Sequence, residues 1–190
     1  MDALTLGVVL STLVLLIFLL SMIWPPDSPW SPWWRTNTTV ARTICRIAKI
    51  GKEDFVIDLG CGDGLVLFTA AKEYGAKGLG IEIDPLRVYH AVLRMQLGGV
   101  TQHITIRRQN LFETDITPAT VIIVYLVPKT LARLEAKFRE QLKPGTRVVS
   151  YMYQIPYLTL IAKDTKHKIF VYEMPAVTSK LKRKNTTVAA

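Results

Sequence analysis

Charge is missing from the start of this chain. Between Asp2 and Asp27 no residue ionises, and no Lys or Arg precedes Arg35. Cysteine is scarce: Cys45 and Cys61 alone exclude a disulfide-rich scaffold and any Cys-based zinc finger. The three histidines, His90, His103 and His167, are spread too widely to form a metal motif, so no metal is expected. No Gly-Lys-Ser/Thr triplet occurs, which removes a P-loop. With 11 Gly and 10 Pro in 190 residues, collagen-like and low-complexity chains are excluded as well. What remains is 49% hydrophobic and 21% charged, the makeup of one ordinary domain with an appendage.

The uncharged run over residues 3–24 would reach about 33 Å as a helix, enough for a hydrocarbon layer of about 30 Å. A cleaved signal peptide competes with this reading. It wants a basic start and a small-residue cleavage site, whereas here the start carries Asp2 and the run ends in Met22-Ile23-Trp24-Pro25. Residues 1–24 are therefore expected to be an uncleaved, single-pass transmembrane anchor. Arg35, Arg42, Arg46 and Lys49 follow it, so the positive-inside rule puts the body on the cytoplasmic (or matrix) side. Residues 25–37, with Trp30, Trp33 and Trp34 among prolines, read as a stiff juxtamembrane linker suited to the lipid–water boundary. Residues 38–176 form the expected domain and 177–190 a basic tail. The total charge of +9 includes Asp2 and Asp27, which leaves +11 for residues 35–190 and an attraction to anionic headgroups. The cations are dispersed, so they do not indicate a specific nucleic-acid partner.

The body alternates in period. Residues 38–49, 65–74, 85–97 and 130–142 read as helices, the third opened by Pro85 and closed by Gly98-Gly99. Residues 55–59, 78–83, 104–108, 121–127 and 146–152 read as strands, and 121–127 is β-branched enough to be buried on both faces. Strand followed by helix, repeated, predicts an α/β fold with a parallel sheet. After Pro156 the pattern changes to a closing antiparallel hairpin over 157–161 and 168–172.

The chemistry concentrates in Asp58-Leu59-Gly60-Cys61-Gly62-Asp63-Gly64, a glycine turn between a strand and a helix. Such a turn lets a ligand approach the backbone and the free N–H groups of the helix. A dinucleotide fingerprint wants its third glycine three residues after the second; Gly64 comes two after Gly62. The turn holds Asp58 and Asp63 and no cation, so it repels a pyrophosphate and suits a ligand carrying an ammonium and a sulfonium. S-adenosylmethionine is such a ligand. Asp58 is placed to meet its amino group, and Glu82, ending the second strand, to accept from both ribose hydroxyls. The competing reading has both acids capping helices.

These residues, with Gly80-Ile81-Glu82, resemble the cofactor signature of the seven-strand methyltransferases. Residues from about 32 to 172 are further similar to the small protein-lysine methyltransferases: archaeal broad-specificity enzymes and membrane-anchored mitochondrial enzymes acting on the c-ring protein of ATP synthase and the adenine nucleotide translocase. The shared features are Asn110-Leu111-Phe112-Glu113-Thr114-Asp115, Val124-Tyr125-Leu126, residues 142–150, and His167-Lys168-Ile169-Phe170-Val171-Tyr172. The resemblance implies a Rossmann-like seven-strand sheet and S-adenosylmethionine as cofactor. It adds Gly60, Cys61, Gly62, Gly64, Asn110 and Leu111 to the cofactor site. Thr36 joins them as the position of Trp33-Trp34-Arg35-Thr36 that matches the relatives' lead-in segment, and Asn110 stands where some relatives carry Asp at the adenine.

The implied reaction is an in-line attack of a neutral lysine amine on the cofactor's methyl. Tyr125 is the expected lining of the lysine channel, with Tyr151 and Tyr153 as second choices. Cys61 is expected to be a small residue between glycines, not a nucleophile. Two other functions stay open: methylation of a small molecule, lipid or quinone head group, and a non-catalytic cofactor-binding module. Tyr125-Leu126-Val127-Pro128 replaces the Asn/Asp-Pro-Pro-Tyr of amino-directed base methyltransferases.

Overall fold

The computed structural model describes residues 2–23 and 34–176. Residues 25–33 of the expected linker and the whole expected tail, 177–190, lie outside the described residues. Helix α1 (Ala3–Ile23) begins where Asp2 accepts from the Thr5 N–H at 2.8 Å and the Thr5 hydroxyl at 2.6 Å. It is long and apolar enough to cross a membrane, and residues 3–20 are exposed to their surroundings throughout.

The body folds around seven strands in the order β3-β2-β1-β4-β5-β7-β6. These are β1 (Phe55–Leu59), β2 (Lys77–Glu82), β3 (Ile104–Arg108), β4 (Val121–Val124), β5 (Arg147–Tyr151), β6 (Thr159–Asp164) and β7 (Ile169–Glu173). The first five run parallel. β7 pairs antiparallel with β5, and β6 with β7, so the hairpin expected after Pro156 closes the sheet. The order reverses at β1, flanked by β2 and β4, which opens a crevice at the carboxyl ends of these strands.

Side chains alternate between the two faces of a strand, and the core divides accordingly. Val56, Ile123 and Val149 face α2 (Thr38–Ile47) and α3 (Leu65–Tyr74), with Met95 of α4 (Pro85–Gly98) on the same side. Ile57, Leu59, Ile122, Val124 and Val148 face α5 (Pro128–Gln141), together with Ile116, Ala119, Ile155 and Leu158 from loops. The parity of the first set also carries Asp58, Tyr125 and Tyr151 to the α2–α3 face.

Most element ends shift by one to three residues from expectation, and three of the shifts have a local cause. Strand β4 stops at Val124 instead of residue 127, level with the end of β1 at Leu59; one residue further on β5 ends at Tyr151, and Met152 turns away with φ +72°. That releases Tyr125 from the ladder. Helix α5 starts at Pro128 rather than 130, with proline at the first turn, where no N–H is needed. Strand β6 runs on to Asp164, whose carboxylate accepts from the His167 N–H at 2.9 Å and so forms the turn itself.

Candidate active site

The glycine turn after β1 is held by the neighbouring strand. Gly60 and Cys61 donate their N–H groups to the Ile81 carbonyl, at 2.8 and 2.9 Å. Gly62, at φ +56°, adopts the left-handed backbone that favours glycine and donates to Glu82 Oε2 at 3.0 Å. The other oxygen of Glu82 accepts from Ile83 and Asp84 N–H groups, at 2.9 and 3.1 Å. Glu82 thus ties the turn to the end of β2. A carboxylate has about four acceptor positions, so these three bonds leave about one for a ligand hydroxyl.

Asp58 is buried at 5% exposure, and its carboxylate makes no hydrogen bond or ion pair among the described residues. Burial, then the charges of Glu82 and Asp63, push its pKa up to about 8. A buried carboxylate with no cation is costly to ionise, and a ligand ammonium relieves that cost. Asp63, which the sequence also offered to the ligand, is engaged elsewhere. Arg35 Nε and Arg94 Nη2 each lie 2.9 Å from its Oδ2, and Arg94 Nε donates to its carbonyl at 2.9 Å. The turn without cations becomes, in three dimensions, a turn with two arginines on one acid and none on the other.

One pocket collects Thr36, Asp58, Gly60, Cys61, Gly62, Glu82, Asn110, Leu111, Tyr125 and Tyr151. Gly64 is not in its lining; it caps α3 at φ +72°, and a Cβ there would meet Met95 Cε at 2.8 Å. Asn110 holds its own loop, accepting from the Phe112 N–H at 3.1 Å and donating to Glu113 at 3.2 Å. Tyr153, the third tyrosine, is 37% exposed and outside the lining. Cys61 is no nucleophile here: burial, then Asp58 and Glu82, raise its thiol pKa well above the usual value. Burial, then the neighbouring Tyr151 and Tyr153, also raise the Tyr125 phenol. It stays protonated at neutral pH.

Sequence reasoning missed Trp34, Arg87, Gln109, Phe112, Thr130 and Arg133, which also line the pocket. The Arg133 guanidinium sits 4.1 Å from the centre of the Phe112 ring. For Thr130 and Arg133 the signal is the start of α5 at Pro128, and for Trp34 and Phe112 it is their place beside Thr36 and Asn110 in the motifs quoted above.

The residues fit the expected cofactor: an unpaired buried carboxylate for an ammonium, a backbone turn opened by glycines, and an acid at the end of β2. A doubly wound sheet with this site at its switch point defines an S-adenosylmethionine-dependent methyltransferase. Residues 58–162, over half of the chain, match the ANTKMT methyltransferase domain, and the chain belongs to that family. Over 158 residues it is 40% identical to a protein-lysine N-methyltransferase of Saccharolobus islandicus (strain REY15A), covering 80% of this chain and 96% of that protein. It is 31% identical over 106 residues to the adenine nucleotide translocase lysine N-methyltransferase of Mus musculus, covering 56% of this chain; it spans about half, 46%, of that relative. Among solved structures it is similar to an RNA methyltransferase from Salinibacter ruber in complex with S-adenosyl-L-homocysteine. That likeness has a TM-score of 0.72 and 34% identity, over 75% of this chain and 94% of the other.

Proposed function

We propose that this enzyme methylates lysine side chains of proteins while tethered to a membrane by α1, its body on the cytoplasmic or matrix side. The domain division follows: anchor 1–24, linker 25–37, catalytic domain 38–176 and basic tail 177–190. The observation that carries the reading is the Tyr125–Tyr151 pair, which lines the same pocket as Asp58.

Bound there, S-adenosylmethionine supplies an electrophilic methyl whose transfer to an amine lone pair breaks the carbon–sulfur bond and leaves the electrons on sulfur. Asp58 holds the ligand's ammonium, and Glu82 keeps the glycine turn in place and accepts a ribose hydroxyl. Thr36, Gly60, Cys61, Gly62, Asn110 and Leu111 close around the rest, and Gly64 supports them from the start of α3. A free lysine has a pKa of about 10.4 and must enter neutral. The apolar, aromatic walls disfavour its charged form, as does a neighbouring positive charge. Tyr125 and Tyr151 orient the amine by ring face and hydroxyl, so positioning and desolvation do the work of a base. The archaeal and mouse relatives, both lysine N-methyltransferases, support this substrate class.

The Salinibacter ruber relative favours RNA as a second reading; Tyr125-Leu126-Val127-Pro128, which lacks the base-methylating motif, weighs against it. The test incubates the full chain in vesicles with labelled S-adenosylmethionine and membrane, lipid and RNA fractions, beside Asp58→Asn. Label on protein, with a methyl mass increment on lysine, is expected. Label confined to RNA or to solvent-extracted lipid overturns the lysine assignment.

A further inference from the structure

Helix α4 carries large apolar side chains on its outer side as well as apolar ones on its inner side. It buries Arg87 at 7% exposure along with Ala91 and Met95, while Tyr89, Leu93 and Leu97 stand 62%, 36% and 82% exposed. Those three recur at every fourth position and so form one row along the helix. A helix that only covers a sheet turns its charged row outward. Leu93 and Leu97 also border a groove of ≈ 600 Å³ between α3 and α4, with Phe68 on its other side and Arg35 and Arg94 on its rim.

The surroundings of this row are cationic. Lys72 Nζ donates to the Gly98 carbonyl at 3.0 Å, beside Leu97. The side chain of Arg35 is 65% exposed and that of Arg94 26%, whereas Asp63, which both arginines engage, is 10% exposed. Among the described residues, Asp63 is the groove's one acid. Trp34, next to Arg35, is 66% exposed.

We propose that the outer row of α4 is a lipid-contact face. Tyr89, Leu93 and Leu97 seat at the headgroup boundary of an anionic bilayer, with Arg35 and Lys72 at its phosphates. The proposal rests on reading α1 as a membrane anchor. The segment joining Ile23 to Arg35 spans at most about 40 Å fully extended, which keeps the groove's rim within reach of the headgroups. The charge of +11 over residues 35–190 draws the body the same way. An amphipathic helix lying in the interface needs this combination, an apolar row with cations beside it. Contact along α4 fixes how the pocket is turned relative to the bilayer and selects lysines held close to the membrane surface.

Both native thiols are buried, so an introduced exposed cysteine takes a fluorescent label selectively. The full chain, reconstituted in phosphatidylcholine–phosphatidylglycerol vesicles, carries the probe at Leu97→Cys, at Glu140→Cys on α5 across the sheet, or at Leu10→Cys in α1. Nitroxide lipid is expected to quench the Leu97 probe at least about twofold more than the Glu140 probe, and less so at high salt. Quenching at Leu10 with none at Leu97 overturns the face and leaves the anchor intact. No quenching at either overturns both, and quenching at Leu97 without Leu10 supports the face while removing the anchor. A Leu97 probe blind to lipid but self-quenching with protein density assigns the row to a second copy and overturns the proposal.

Discussion

The rings of Tyr125 and Tyr151 lie 4.4 Å apart, centroid to centroid, tilted by 55°. The register explains it: Val124 of β4 is level with Ser150 of β5, and each tyrosine is the next residue along. Both point to the face that carries Asp58, where the pocket opens. Ser150 donates its hydroxyl to the Tyr153 carbonyl at 2.5 Å, which bends the chain after β5 and keeps Tyr153 out of the lining.

Loss of the phenol at this pair acts on the reaction more than on binding. Tyr125→Phe keeps the ring and is expected to lower kcat about 10- to 100-fold, with cofactor affinity within about twofold of the parent. Tyr151→Phe is expected to cost less. Single-turnover methylation, with calorimetry on the same samples, checks both. A Tyr125→Phe enzyme with full kcat would remove the hydroxyl from the mechanism.

The raised pKa of Asp58, about 8, sets a pH dependence in two directions. Without cofactor, the folded state holds the Asp58 proton more tightly than the unfolded chain. That contribution to stability is complete below about pH 4 and is lost as pH rises to about 8. Asp58→Asn is therefore expected to melt higher than the parent at pH 9, by several degrees. Cofactor binding runs the other way, because a cation needs the carboxylate. Affinity is expected to fall by up to about tenfold per pH unit below 8. Calorimetry at pH 6.5, in buffers of different ionisation heat, is expected to show up to one proton released, and none in Asp58→Asn.

Glu82→Ala removes three backbone-to-carboxylate hydrogen bonds as well as the proposed ribose acceptor. Bonds to a charged group are each worth about 1.5–3 kcal/mol. The variant is expected to bind cofactor at least about tenfold more weakly and to melt lower. Calorimetry and a thermal scan read the two effects. Unchanged cofactor affinity would take Glu82 out of the site.

The two arginines on Asp63 are not equivalent. Arg94 is largely covered and makes bonds to both the carboxylate and the carbonyl of Asp63, whereas Arg35 is mostly exposed. Arg94→Ala is expected to weaken cofactor binding about tenfold, and Arg35→Ala no more than about threefold, with the smaller effect fading in salt. Affinity titrations at two ionic strengths separate them. Equal losses would mean that Arg35 holds the turn as firmly as Arg94.

Composition and periodicity alone determined the alternation of strands and helices, the glycine turn, the closing hairpin and the places of Asp58 and Glu82, because propensity and apolar spacing act over a few residues. Which distant groups meet was decided only by the fold. Arg35 and Arg94 reach Asp63 from 28 and 31 residues away, and no pattern near Asp63 announces them. Glu82 spends most of its acceptor capacity on backbone because β2 lies beside the turn after β1. Tyr125 leaves the ladder because β1 beside it ends level with Val124, and α4 turns Leu93 and Leu97 outward because its buried row is Arg87, Ala91 and Met95. Local sequence marks which residues carry chemistry; strand register and helix packing settle which of them share a site.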